Sequence, residues 1–216
     1  MLTVRSFTFN PFQENTYIVY HQDKTSIIFD PGMYTATEEK ILSDFIEQHE
    51  LKPVHLINTH CHIDHIFGNA WCARQYQLPL EIHALEQQVL ERGAIMAATY
   101  GLNYTESVEA SIFLEAGKTI QLGDEVFDIL FTPGHSPGSL SFYNQNNQVV
   151  ISGDALFQES IGRTDLPGGD HQTLIDAIKT QLLTLPEDTV VYSGHGPSTT
   201  IGHEKRYNPY VSGRAF

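Results

Sequence analysis

The stretch that most constrains this chain is Thr59-His60-Cys61-His62-Ile63-Asp64-His65. Three histidines and an aspartate fall within residues 60–65, in the order His-x-His-x-Asp-His. Imidazoles packed this closely compete for hydrogen-bond partners unless they share a cation. Residues 54–58 read as a buried strand and 66–77 as a helix, so the motif occupies a strand-to-helix loop. His60 and His62, two apart, point the same way if the backbone stays extended, and Cys61 then points away, to pack. Asp64 and His65 fall where the chain turns into the helix. One loop thus presents two pairs of ligands to two adjacent metal ions.

The rest of the chain repeats the device: a strand, then a loop of small residues bearing His or Asp. Residues 126–131 lead into Thr132-Pro133-Gly134-His135-Ser136-Pro137-Gly138, residues 148–151 into Ser152-Gly153-Asp154, and residues 189–192 into Ser193-Gly194-His195-Gly196-Pro197. Glycine beside each of these lets backbone approach closely. Strands are also expected over 2–9, 15–20, 26–29, 80–83, 119–122 and 139–143, from their β-branched and aromatic content. Helices are expected over 35–48, where Thr35 and Glu38 form a capping box and Ile41, Leu42, Phe45 and Ile46 one apolar face, and over 84–98. A further helix has Asp170 as N-cap and Leu174, Ile175, Ile178 and Leu182 on its face. Residues 99–109 are irregular. Asp30, in Asp30-Pro31-Gly32, reads first as a turn former, with a supporting place beside the metal loop as the alternative. His21, His49, His55, His171 and His203 have no partners at ligand spacing and read as surface or structural. Strand–helix–strand order implies a layered α/β arrangement.

Composition narrows the partners. The 216 residues, 41% hydrophobic and 18% charged, suit one globular domain over 1–216. A net charge of −14 excludes a phosphate-tracking surface, so no nucleic acid is expected. Any anionic substrate must be held by local positive charge. The start lacks a cationic segment followed by an apolar one, no apolar run reaches membrane-span length, and two cysteines give no disulfide framework. A cytoplasmic protein without membrane contact is the expectation. Imidazole with carboxylate suits zinc, and also iron and manganese.

Taken together, His60-x-His62-x-Asp64-His65, Gly134-His135, Gly153-Asp154 and Gly194-His195 resemble the metallo-β-lactamase-fold hydrolase superfamily over nearly the whole chain. The resemblance implies an αββα four-layer sandwich with metals at one edge. It assigns His60, His62 and His135 to a first metal, Asp64, His65 and His195 to a second, and Asp154 to both. Asp154, in place of a cysteine, makes the antibiotic-hydrolysing lactamases a poorer match.

A finer resemblance, to short bacterial glyoxalase II-like enzymes, lies in residues 160–170 (Ser-Ile-Gly-Arg-Thr-Asp-Leu-Pro-Gly-Gly-Asp) and in 194–202. It implies hydrolysis of S-lactoylglutathione or a related hydroxyacyl thioester by a metal-held hydroxide that Asp64 could also orient. Full-length glyoxalase II enzymes add a C-terminal helical domain that grips glutathione. Only 21 residues follow His195, so that domain is expected to be absent. Arg163, in a glycine-flanked loop after Asp154, is a candidate clamp for an anionic thiol carrier. The alternative that the resemblance leaves open is an iron-dependent persulfide dioxygenase, which shares the scaffold and a Gly-Arg-Thr-Asp segment. The acyl group, the thiol and the oligomeric state have no signature in the chain.

Overall fold

The computed structural model describes residues 1–212. The chain divides into two compact units: Met1–Leu114 with Gln121–Glu125, and Glu115–Ile120 with everything from Val126 onward. Each has its own sheet and its own helices.

In the first unit, strands β1 (Leu2–Phe9), β2 (Glu14–His21) and β3 (Thr25–Phe29) form an antiparallel meander. Helix α1 (Ala36–Gln48) crosses to β4 (Lys52–Ile57), which pairs parallel with β3. Strands β5 (Leu80–His83) and β6 (Ala110–Leu114) follow, both in parallel pairings, giving the order β1-β2-β3-β4-β5-β6. Parallel strands are covered on their faces and read as continuous apolar runs, as in Ile27-Ile28-Phe29 and Leu56-Ile57, all fully buried. The predicted capping box starts α1: Thr35 Oγ1 accepts from Glu38 N–H, and the Glu38 carboxylate accepts from Thr35 N–H. Leu42 and Ile46 face the core, but Ile41 is exposed, so the apolar face is narrower than its spacing implies.

Two helices expected to run continuously are interrupted. The motif helix is split into α2 (Ile63–Ile66) and α3 (Asn69–Tyr76). Gly68 donates its N–H to Pro31 O (2.7 Å), and a Cβ there would come within 2.6 Å of Met33, so a close backbone approach breaks the helix. Residues 84–98 form a 3₁₀ turn (Ala84–Glu86), then α4 (Gln87–Glu91) and α5 (Gly93–Thr99). The break falls at Arg92, just before Gly93, where a Cβ would lie 2.9 Å from Ile66 and 3.0 Å from Tyr104.

The second sheet has the order β14-β13-β10-β9-β8-β7. Its strands are β7 (Thr119–Leu122), β8 (Glu125–Phe131), β9 (Leu140–Asn144), β10 (Val149–Gly153), β13 (Val190–Ser193) and β14 (Thr199–Thr200). Strands β8, β9 and β10 are antiparallel neighbours, and β13 joins β10 in parallel. A two-stranded ribbon, β11 (Leu156–Phe157) with β12 (Ser160–Ile161), follows β10. Helix α6 (His171–Ala177) is capped by Asp170, whose carboxylate accepts from Thr173 N–H (2.7 Å), and it continues as a wide turn over Ile178–Leu182. Leu174, Ile175, Ile178 and Leu182 pack with Val150, Val191 and Ile201 as the core. Helix α7 (Ile201–Tyr207) was not anticipated; Thr200 caps it by accepting from His203 N–H. Strand β6 was also missed, because as an edge strand it leaves Ile112 and Phe113 exposed and lacks clean alternation. Among the described residues no helix is long and apolar enough to cross a membrane.

Candidate metal centre

In the first unit the ligand-bearing loop is held from behind. Strand β4 ends at Ile57, and Asn58 turns its side chain back to donate to His65 O (2.9 Å) while accepting from Asn69 Nδ2 (2.7 Å). The His60 ring lies 4.8 Å, edge-on, from that of His62 and 4.1 Å from that of His65. His60 and His65 are fully buried, whereas His62 and Asp64 are partly exposed. His65 Nε2 lies 3.7 Å from Asp64 Oδ2. Cys61 points the other way, into the apolar cluster with Ile63, Ile66 and Cys72, and its N–H donates to the buried Glu86 carboxylate (2.7 Å). Burial pushes its thiol well above the ordinary cysteine range, so the packing reading holds.

Both readings of Asp30 are satisfied. It turns the chain with a left-handed φ of 47°, which Asp tolerates better than most residues. Its carboxylate accepts from Thr59 N–H and Thr59 Oγ1–H (both 2.7 Å), and one oxygen lies 3.2 Å from His65 Nδ1. A carboxylate on the remote nitrogen of a ligating imidazole fixes its tautomer and orientation. Asp30, His60 and His65 can each bring one donor atom within 4.8 Å of the others.

The remaining histidines of this unit behave as structural groups. His21 sits between Asp23 (3.1 Å) and Asp124 (2.7 Å). His49 contacts Phe45 O, and His83 accepts from Leu85 N–H. His55 pairs with Glu81 across β4 and β5 at 2.6 Å, and that hydrogen bond raises its pKa against the opposing effect of burial.

In the second unit β8 leads through Gly134 to His135, β10 through Gly153 to Asp154, and β13 through Gly194 to His195. Gly134 has a φ of 121°, and a Cβ there would meet the Leu174 backbone nitrogen at 2.3 Å. That is the close approach its sequence position anticipates. His135 Nδ1 lies 2.7 Å from Arg163 O; a carbonyl only accepts, so Nδ1 holds the proton and Nε2 keeps its lone pair. One oxygen of Asp154 lies 3.4 Å from His135 Nε2 and 3.5 Å from His195 Nε2. Two donors each about 2.1 Å from a tetrahedral zinc sit roughly 3.4 Å apart, so this spacing fits a cation held between them. The Arg163 guanidinium makes a two-pronged pair with Asp165 (2.7 Å each), exposed on both sides. That pairing draws the Asp165 carboxyl down to about 2. His203 pairs with Glu159 at 2.9 Å.

Sequence reasoning passed over Asn10, Glu14, Thr59 and the Arg163 carbonyl, all of which support ligand-bearing residues. Thr59 adjoins the motif and was findable on that ground. The others act through backbone atoms or contacts distant in sequence and leave no local pattern.

Fold and donor set together define a class of metal-dependent hydrolase. The family model described as the metallo-beta-lactamase superfamily matches residues 9–195, and the chain belongs to that superfamily. Its mixed α/β class, with two multi-stranded sheets and helices, was expected from the resemblance and is that of its structural neighbours. The chain is 37% identical over 211 residues to the probable metallo-hydrolase YqgX of Bacillus subtilis, covering 97% of each. It is 36% identical over 208 residues to the hydroxyacylglutathione hydrolase GloC of Haemophilus influenzae, covering 94% of this chain and 95% of GloC. Two solved structures are similar. The BLEG-1 B3 metallo-beta-lactamase has a TM-score of 0.90 and 39% identity, over 98% of this chain and 100% of that one. TTHA1623, in a di-iron-bound form, has 0.86 and 38%, over 96% and 100%.

Proposed function

We propose that this protein hydrolyses a hydroxyacyl thioester of the S-lactoylglutathione type, using two divalent metal ions. The observation that carries the reading is the Asp154 oxygen placed 3.4 and 3.5 Å from the Nε2 atoms of His135 and His195. A carboxylate so flanked is suited to join two cations. His60, His62 and His135 would hold one, Asp64, His65 and His195 the other, and Asp154 both. When bound, such a pair supplies a nucleophilic hydroxide near neutral pH and a Lewis acid for the carbonyl oxygen.

The chain's own groups do the rest. Arg163 O accepts from His135 Nδ1, and an Asp30 carboxylate oxygen 3.2 Å from His65 Nδ1 favours the proton there, so both rings would offer Nε2. Asp64, whose side chain is partly exposed, would orient a water. The leaving thiolate is a weak base, so a strong general acid is less needed than for an amide. Kinship with GloC supports the thioester over other acyl substrates. Zinc is the first choice of metal; the di-iron form of TTHA1623 supports iron as well. The single-domain, cytoplasmic reading, and a small-molecule partner rather than nucleic acid or membrane, belong to this proposal.

The test is metal content measured beside three turnovers: S-lactoylglutathione hydrolysis, oxygen uptake on glutathione persulfide, and nitrocefin hydrolysis. Two metals per chain with chelator-sensitive thioesterase activity is the expected result. One iron with oxygen uptake would assign the persulfide dioxygenase instead. Nitrocefin turnover without thioesterase activity, or thioesterase activity that survives chelation, would overturn the proposal.

A further inference from the structure

The turn between β1 and β2 touches the motif loop at two points that the ligand assignment does not use. Asn10 Nδ2 donates to the backbone oxygens of both Gly32 and Asp64 (2.9 Å each). Four residues on, Glu14 is fully buried; its Oε2 accepts from Thr16 Oγ1 (2.9 Å) and its Oε1 lies 4.0 Å from His65 Nδ1. Oε1 has no hydrogen-bond partner among the described residues. The same Thr16 hydroxyl lies 2.8 Å from Asp30 O and accepts from Gly32 N–H (2.9 Å). Gly32 is what lets this assembly close: a Cβ there would lie 2.0 Å from Glu14 Oε2, 2.6 Å from Asp64 O and 2.8 Å from Asn10 Nδ2.

A buried carboxyl group with one oxygen left unbonded is expensive to keep in a core. Its place against His65, and that of Asn10 against Asp64, give both residues something to do: they abut two consecutive residues of the motif.

We propose that Asn10 and Glu14 are positioning residues, which set the aim of Asp64 and His65 and so tune the affinity of the metal that this pair holds. This rests on the ligand reading above. The action is through shape and hydrogen bonding: Glu14 backs the His65 ring at the same Nδ1 edge that Asp30 faces, and Asn10 fixes the backbone at Asp64.

The experiment measures zinc bound per chain, and its release to a competing chelator, for the full-length protein and three variants. Asn10→Gly removes the side chain at a residue whose φ is 52°, which glycine accepts without strain. Glu14→Ala removes the backing; Glu14→Gln keeps its shape. Asn10→Gly and Glu14→Ala are expected to weaken one of two bound zincs about 10-fold or more, the range for supporting groups of metal ligands. Glu14→Gln should hold zinc within roughly 3-fold of the parent, well under that range. Melting of the metal-free variants is read alongside. Unchanged zinc affinity in both Asn10→Gly and Glu14→Ala, with only the metal-free melting temperature lowered, would show a purely structural role. Loss in Glu14→Gln equal to that in Glu14→Ala would also overturn the proposal. A parent protein that binds no zinc would instead remove the ligand reading on which it stands.

Discussion

His135 donates from Nδ1 to the main-chain oxygen of Arg163 across 2.7 Å, so a residue named in the sequence for its side chain acts on the site through its backbone. The bond turns the other nitrogen of His135 toward Asp154 and makes it the lone-pair nitrogen of the neutral ring. It also makes the loop carrying Arg163 part of the support for the centre, whatever the guanidinium does.

Gly162 is where that support has no slack. A Cβ there would lie 1.9 Å from Asp154 O and 3.0 Å from His135 Nδ1, although the φ of this glycine is not in the left-handed region. Gly162→Ala should therefore act by crowding rather than by backbone strain. Overpacking of this kind costs about 1–3 kcal/mol, and the shifted Asp154 should lower zinc retention and thioesterase activity together. Wild-type metal content and kcat in Gly162→Ala would refute this.

The Arg163 guanidinium is exposed and tied to Asp165. So exposed a pair adds little to stability, and Arg163→Ala should leave thermal stability nearly unchanged and keep His135 in place. If the side chain clamps an anionic thiol carrier in the ground state, KM rises while kcat holds. Steady-state kinetics decides: an unchanged KM excludes the side chain from substrate binding.

His55 and Glu81 join adjacent parallel strands, and the hydrogen bond from Glu81 raises the folded-state pKa of His55. A raised pKa means that folding takes up a proton. The stabilisation is then full below the unfolded value of about 6.5 and is lost as pH rises through the folded value. Replacing Glu81 with Gln should lower the melting temperature most on the acid side of that window. Melting curves of the two proteins, taken from mildly acid to mildly alkaline pH, should converge as pH rises; a gap that widens with pH would reverse the assignment.

Cys61 and Cys72 are both buried, and burial pushes both thiols well above their ordinary range. The thiolate is the reactive form, so neither should react with an aromatic disulfide reagent in the native protein, and both should on unfolding. Rapid native labelling of Cys61 would place it in an open, polarised setting and revive a role for its sulfur.

The loop 59–65 announced itself because its donors fall within residues 60–65, and the glycine-flanked His135, Asp154 and His195 because each follows an apolar strand. Helix α1 was readable for a similar reason: Thr35 and Glu38 satisfy each other three residues apart. Where the reading erred, distant atoms decided. The break at Gly68 follows from a bond to Pro31 O, and the one at Arg92 sits beside Gly93, which Ile66 and Tyr104 crowd. No window of local sequence contains those partners.

What the sequence determined by itself is the kit of donors and the strands that end at them, because residue type and short-range spacing state both. Only the tertiary structure decided how the donors are aimed: Asp30 and Glu14 behind His65, Asn10 on the Asp64 backbone, the Arg163 carbonyl on His135. An imidazole has two nitrogens and a free rotor. Which nitrogen keeps its lone pair, and where that lone pair points, is settled by whatever the folded chain packs against the other side.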